Sequence, residues 1–130
     1  MIRLKLSLPC PVNRRFIPIL INKGGRKIAI QSLSPEYRKK QSRMVDEIWK
    51  QLGGKPKAYV GIVQVSFTVT PRDRRTADSD AYFKALYDGL QKAGIVTDDK
   101  QIKSGHNELL PNAVFPGCLD VEVYPLEQQP

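Results

Sequence analysis

Three aspartates and one lysine are the residues of this chain best suited to chemistry. Asp78 and Asp80 stand two residues apart at the start of a predicted helix, and Lys84 follows one helical turn later. Asp99 comes just after that helix ends. Mg²⁺ prefers carboxylate and water oxygens, and a lysine beside it could offset the charge that develops on a phosphate. This set therefore indicates a metal site that acts on a phosphodiester.

Ordinary surface charge explains the same residues without any chemistry. Asp80 and Lys84 have the i,i+4 spacing of a common helix ion pair, and Asp99 could be a turn residue. Asp98 adjoins Asp99, so either of the two could be the ligand. The residue types and their spacing leave both interpretations open.

The balance of charge favours a polyanionic partner. The 130 residues include 21 Lys and Arg against 13 Asp and Glu, a net charge of +8. Nucleic acid fits this charge better than a membrane, because the sequence contains no strongly amphipathic basic helix with a wide apolar face. In addition, no apolar run approaches the ~20 residues that span a bilayer. The candidates for contact with DNA are Asn13, Arg14, Arg15, Arg72, Arg74 and Arg75.

Each of these candidates also has a plainer explanation. The arginines could simply solubilise the chain, and Asn13 could shape its own loop. Asp73, which lies among the second group of arginines, is expected to pair with them rather than to bind metal.

The patterning predicts one α+β domain over residues 1–130, with a small mixed sheet and two main helices. Residues 17–33 are expected to form a basic loop or hairpin about Gly24 and Gly25, and residues 126–130 a frayed tail. The predicted strands cover residues 2–8, 59–70, 101–110 and 119–125, and the predicted helices residues 34–52 and 79–93.

The two helices differ in what they expose. Ser34 is the predicted N-terminal cap of the first helix, and Pro35 takes its first helical position. Within this helix, Tyr37 and Trp49 are expected to pack in the core rather than to stack on bases. The second is expected to bury a stripe of Phe83, Leu86 and Leu90. Its polar stripe contains Asp80, Lys84, Asp88 and Gln91. Asp88 is either a group that holds Lys84 or a plain surface acid.

The remaining reactive side chains suggest no second site. Cys10 and Cys118 fit no metal-binding spacing and are expected to be thiols in the cytoplasm, although a disulfide between them stays open. His106, the single histidine, lies in a polar stretch and is expected at the surface.

Residues 71–101, PRDRRTADSDAYFKALYDGLQKAGIVTDDKQ, resemble the RusA family of Holliday-junction resolvases. That family combines basic residues, a D-x-D-N motif, a lysine four residues after the second aspartate, a K-A-G turn and D-D-x-Q. The proline-rich PCPVNRRF after the first strand is similar to the family as well. The matching positions are Asp78, Asp80, Lys84, Asp88, Lys92-Ala93-Gly94 and Asp98-Asp99-Lys100-Gln101.

The resemblance implies a Mg²⁺-dependent endonuclease, with Mn²⁺ as a substitute metal, that resolves four-way DNA junctions by paired symmetric nicks in recombination and repair. It assigns Asp78, Asp80 and Asp99 as metal ligands and Lys84 as the essential cation, and its register favours Asp99 over Asp98. It further implies a homodimer, encoded by a bacterium or a phage.

The chain departs from the family at one informative position. Ala81 stands where the family usually has asparagine after the second aspartate. The retained acids and lysine favour activity, whereas Ala81 favours the alternative of a non-catalytic or weakly active protein that binds branched DNA. A nuclease that prefers flaps or forks is the third possibility.

Overall fold

The computed structural model describes residues 1–11, 15–74 and 79–126. Two 3₁₀ turns, Ser79–Ala81 and Asp99–Gln101, flank the second helix. Within the described ranges, the strands and helices are β1 (Ile2–Ser7), β2 (Phe16–Lys23), β3 (Arg26–Leu33), α1 (Pro35–Leu52), β4 (Val63–Thr70), α2 (Phe83–Ala93), β5 (Ile102–Leu109) and β6 (Cys118–Pro125).

Four of the strands form a mixed sheet in the order β1-β6-β4-β5. β6 pairs antiparallel with β1 and with β4, whereas β5 runs parallel to β4. Alternate residues of β4, from Val63 to Val69, are buried in the main core with residues of α1 and α2. The predicted α+β class, with a mixed sheet and two helices, is confirmed.

Helix α1 begins and ends where the sequence predicts. The Ser34 hydroxyl accepts a hydrogen bond from the Tyr37 amide at 3.0 Å, and Pro35 takes the first helical position. Gly53 ends the helix at φ 79°, in the left-handed region that favours glycine. The buried face of α1 contains Tyr37, Gln41, Met44 and Ile48, in agreement with the core position predicted for Tyr37.

Helix α2 departs from its prediction at the N-terminus. A 3₁₀ turn occupies Ser79–Ala81, and the α-helix begins only at Phe83. The prediction that Phe83 is buried is wrong, because Tyr82 enters the core and Phe83, about 100° further round, is 40% exposed. The buried face consists mostly of small residues and leucines: Ala85, Leu86, Gly89, Leu90 and Ala93.

The observed bounds of β4 and of the C-terminal tail also differ from the predicted ones. Strand β4 begins at Val63 rather than at residue 59, because the Tyr59 amide bonds instead to the Ile95 carbonyl at 2.9 Å. Of the predicted frayed tail, Leu126 donates its amide to the Ile62 carbonyl at 3.0 Å. Residues 127–130 lie outside the described ranges.

Strands β2 and β3 form a separate two-stranded antiparallel hairpin. Its turn consists of Gly24 and Gly25 with φ of 60° and 79°, the positive values that a tight two-residue turn requires. Of the loop or hairpin predicted for residues 17–33, the structure shows the hairpin. No helix in the described ranges is long and apolar enough to cross a membrane.

Candidate functional site

Lys84 lies between two carboxylates that belong to different elements. Its Nζ is 3.4 Å from Asp88 Oδ1, one turn further along α2, and 3.7 Å from Asp99 Oδ2. Asp99 opens the 3₁₀ turn that leads into β5. The fold thus brings together two of the predicted catalytic residues, Lys84 and Asp99, and adds Asp88 to them.

A compact turn after α2 brings Asp99 to this position. Gly94 ends the helix in the left-handed region, at φ 89°, and the chain reverses. Asp98 then caps the next turn, since its Oδ1 accepts the Lys100 amide at 2.9 Å. That backbone hydrogen bond is the main reason why the pKa of Asp98 lies below its ordinary value. Asp98 therefore shapes the turn, and Asp99 is the acid that contacts Lys84.

Gln101 fixes this turn to the rest of the fold. Its Nε2 donates to the carbonyls of Tyr59 and Gly61, at 2.9 and 2.8 Å. Its Oε1 accepts the amides of Thr97 and Asp98, at 2.9 and 3.2 Å. One side chain thus joins both ends of the turn to the segment before β4. Sequence reasoning noted Gln101 as a motif residue but gave it no role.

Asp88 is held from two further directions. Its Oδ2 accepts the Tyr37 hydroxyl at 2.5 Å and Arg15 Nη2 at 3.3 Å. The Asp88 side chain is only 16% exposed, so it is not a plain surface acid. Burial first, and then the hydrogen bond and negative charge of Asp88, raise the pKa of Tyr37 above its ordinary value. Sequence reasoning placed Tyr37 in the core stripe and missed its hydrogen bond.

Arg15 lies against the protein rather than extending into solvent. Its guanidinium stacks 4.8 Å from the Phe16 ring centroid and 5.4 Å from that of Tyr37. Its carbonyl accepts the Ser34 amide at 2.9 Å, which links the base of the hairpin to the start of α1. Arg15 thus connects hairpin, α1 and α2. The other two candidates for DNA contact in this segment, Asn13 and Arg14, lie outside the described residues.

Asp80 lies in the 3₁₀ turn before α2 and is exposed. The Ser79 hydroxyl, next to it, donates to Asn107 Oδ1 of β5 at 2.7 Å, which ties this turn to the sheet. Among the described residues, the ion-pair partners of Lys84 are Asp88 and Asp99 rather than Asp80. The i,i+4 ion pair of Lys84 is therefore with Asp88, and not with Asp80 as the surface-charge interpretation predicts.

The predicted set of three carboxylate ligands stays a prediction. Asp78 lies outside the described residues. Within residues 1–11, 15–74 and 79–126, no three His, Cys, Asp or Glu side chains are grouped closely enough to hold a metal.

The second group of predicted DNA contacts begins where β4 ends. Arg72 is exposed, pairs with Asp73 at 3.9 Å, and lies 5.7 Å from the Phe115 ring centroid. Arg74 is exposed as well, while Arg75 lies outside the described residues. The expected pairing of Asp73 with a neighbouring arginine is present.

Of the remaining side chains singled out in the sequence, Cys10 is buried in a small cluster with Tyr37 and Ala85. His106 is exposed on β5, 3.3 Å from Glu108, in agreement with a surface position. Cys10 and Cys118 form no disulfide with each other.

Comparison of the chain with protein-family models and with curated proteins gives no match. The resemblance to the RusA family therefore depends on the motif residues themselves.

Proposed function

We propose that this chain is a Mg²⁺-dependent endonuclease that resolves four-way DNA junctions by paired symmetric nicks. The observation that supports this most strongly is the setting of Lys84, which lies between the anchored Asp88 and the more exposed Asp99. A lysine used only for surface charge needs no such support. The motif that contains Asp80, Lys84 and Asp99 supplies the link to junction resolution.

The donor chemistry of the site fits Mg²⁺. Asp80 is exposed and the Asp99 side chain is 42% exposed, so carboxylate oxygens are open to a hydrated ion. Mg²⁺ keeps several waters and needs few protein ligands, and Asp78 would add a third carboxylate. The bound metal would polarise the phosphodiester and lower the pKa of a water, and Mn²⁺ would do the same.

Lys84 would stabilise the negative charge that grows on the phosphate oxygens. A free lysine loses side-chain entropy when it is positioned, but the contacts with Asp88 and Asp99 already restrict this one. Because Tyr37 and Arg15 hold Asp88, the ammonium group is pre-positioned before substrate arrives.

The exposed Arg72 and Arg74 would contact phosphates of the DNA arms. Such contacts orient the substrate without reading its sequence. Paired nicks require two identical sites, which a two-fold dimer supplies. We assign the activity to the cytoplasm, where thiols such as those of Cys10 and Cys118 stay reduced.

A panel of end-labelled DNA substrates tests this proposal. An immobile four-way junction, a fork, a flap and a linear duplex are incubated with the protein and Mg²⁺, then separated on denaturing and native gels. We expect two symmetric nicks in the junction, and cleavage of the duplex at least about a hundredfold slower. Faster cleavage of the flap or fork would overturn the junction preference. Retarded mobility of the junction with all strands intact would instead identify a binding protein.

A further inference from the structure

The segment between β5 and β6 presents two apolar side chains to solvent. Phe115 is 75% exposed and Val114 is 62% exposed, and residues 111–116 are exposed throughout. A single exposed apolar side chain is ordinary on a protein surface, so exposure alone indicates no function. Phe115 differs from such a residue because a cation lies against its ring: the Arg72 guanidinium carbon is 5.7 Å from the ring centroid.

The backbone around Phe115 is fixed to the end of β4. The Val114 amide donates to the Pro71 carbonyl at 2.9 Å, and the Gly117 amide donates to the Val114 carbonyl at 2.7 Å. Gly117 is buried, with Leu8 packed where a Cβ atom would lie. A backbone already held in this way loses little further freedom when a ligand binds. The Phe115 ring is therefore presented to solvent by a preorganised turn.

An open pocket of about 360 Å³ adjoins the ring, within the roughly 300–1,000 Å³ range of small-ligand clefts. Of the described residues that line it, Lys5 and Glu47 are the charged ones, and their charges cancel. A phosphate would therefore gain little there, and the Glu47 carboxylate would repel it. The amino edge of a nucleobase can instead donate to a carboxylate. The pocket is better suited to a base than to a phosphate.

Arg72 supplies positive charge outside the pocket. Its side chain is 58% exposed, and its ion pair with Asp73 is long, at 3.9 Å. A guanidinium group can stack on an aromatic ring through its face while its N–H groups donate to a phosphate in its own plane. Arg72 can therefore stay against Phe115 and still bind the phosphate of a nucleotide whose base contacts the ring.

We infer that Phe115 is a platform on which a base outside the regular duplex stacks, while Arg72 binds the adjoining phosphate. A base within a duplex presents only its edges in the grooves, whereas a base beside a strand crossing or in a single strand exposes a face. An aromatic ring accepts any base in this way, because every base has a π-face. The platform would thus recognise branching without reading sequence. The inference rests on the proposed function for its choice of DNA as the partner, but it does not require cleavage.

Fluorescence anisotropy of labelled DNA tests the platform, without divalent metal so that no strand is cut. The probes are a four-way junction, the same junction with abasic sites around the branch point, and a linear duplex. Phe115→Leu keeps an apolar side chain but removes the ring. We expect it to bind the intact junction about tenfold more weakly than wild type, because base stacking is lost. Its affinity for the linear duplex should equal that of wild type.

Two control variants and the abasic junction separate stacking from a general loss of binding. Phe115→Tyr keeps an aromatic ring and should bind the junction as wild type does. Val114→Ala removes apolar surface at the neighbouring exposed position and should also bind as wild type. The abasic junction completes a double-mutant cycle: wild type should bind it about tenfold more weakly than the intact junction, and Phe115→Leu should bind both equally.

Two results would overturn the inference: Phe115→Leu binding the intact junction as tightly as wild type, or losing affinity for the linear duplex by the same factor. Addition of Mg²⁺ separates this inference from the proposed function. Junction binding that depends on Phe115, with all strands left intact in Mg²⁺, would overturn the proposed function alone. Cleavage by the wild type, with junction binding unchanged in Phe115→Leu, would overturn this inference alone. A wild type that binds none of the three DNAs would overturn both.

Discussion

At the scale of single residues, Asp88 connects the candidate catalytic lysine to distant parts of the chain. One oxygen of its carboxylate accepts hydrogen bonds from the Tyr37 hydroxyl and from Arg15, and the other forms an ion pair with Lys84. A largely buried carboxylate is stable when charged and hydrogen-bonded partners compensate its desolvation. Tyr37 and Arg15 therefore position Asp88, and Asp88 positions Lys84.

Tyr37→Phe removes only the hydroxyl that holds Asp88 from the α1 side. We expect cleavage of junction DNA to slow about tenfold with junction affinity unchanged, because Lys84 would be less well positioned. Loss of a hydrogen bond to a charged group should lower the free energy of unfolding by about 1.5–3 kcal/mol. Single-turnover cleavage, gel-shift titration and urea unfolding measure the three quantities.

Tyr87→Phe is the matched control for this change. Tyr87 lies on α2 and packs edge-on against Phe83, with ring centroids 5.7 Å apart. The variant should behave as wild type in cleavage and binding. A Tyr37→Phe protein that cuts as fast as Tyr87→Phe would contradict the positioning role of Tyr37.

The sequence indicates the candidate acids and lysine but not the residues that support them. Lys84 and Asp99 follow from the motif, because their spacing resembles that of a known family. Tyr37 and Asp88 are 51 positions apart, and their contact depends on how α1 packs across α2. A local pattern carries no information about that packing, and Tyr37 by itself looks like any core aromatic residue.

At the scale of elements, caps and periodicity predict most of the fold. Ser34 and Gly53 mark both ends of α1, and the alternation in β4 identifies its buried face. The start of α2 is less predictable, because the Ser79–Asn107 hydrogen bond and burial of Tyr82 depend on tertiary contacts. The error over Phe83 has the same origin.

The segment that joins β5 to β6 is tightly connected to the chain just before the acids. The Val114 amide donates to the Pro71 carbonyl at 2.9 Å. Gly117 has φ of 82°, and a Cβ atom there would lie 2.9 Å from the Thr70 carbonyl oxygen and 3.0 Å from the Arg72 nitrogen. This close approach of backbones requires glycine.

Gly117→Ala should therefore lower the free energy of unfolding by about 3 kcal/mol or more, since left-handed strain and a backbone clash add. Gly53→Ala is the matched control, because its φ is 79° and its Cβ would meet nothing within 4 Å. It should cost only about 1–2 kcal/mol. Urea unfolding measures the free energy of unfolding of both variants. Equal decreases would show that the close approach of the backbones at Gly117 has no energetic effect.

At the scale of the whole molecule, the residues that position Lys84 are largely buried, whereas the residues proposed to contact metal or DNA are exposed. The main core is shared by the sheet and the two helices, whereas Tyr37, which holds Asp88, is buried in a smaller cluster with Cys10 and Ala85. Asp80, Arg72 and Arg74 stay exposed, on a chain whose net charge is +8. Overall charge was sufficient to suggest a polyanionic partner. Charge alone could not distinguish Arg15, which forms an ion pair with Asp88, from the exposed arginines that remain available to DNA.

The central claim is that Asp99 and Lys84 belong to a site that cuts DNA, and cleavage by Asp99→Asn tests it most directly. Its control is Asp46→Asn, an identical charge change at an exposed position of α1. With Mg²⁺ and a labelled four-way junction, Asp46→Asn should cut as wild type. Asp99→Asn should bind the junction at least as tightly yet cut it about a thousandfold more slowly. Cleavage by Asp99→Asn within a few-fold of Asp46→Asn, or intact strands with the wild type, would contradict the account.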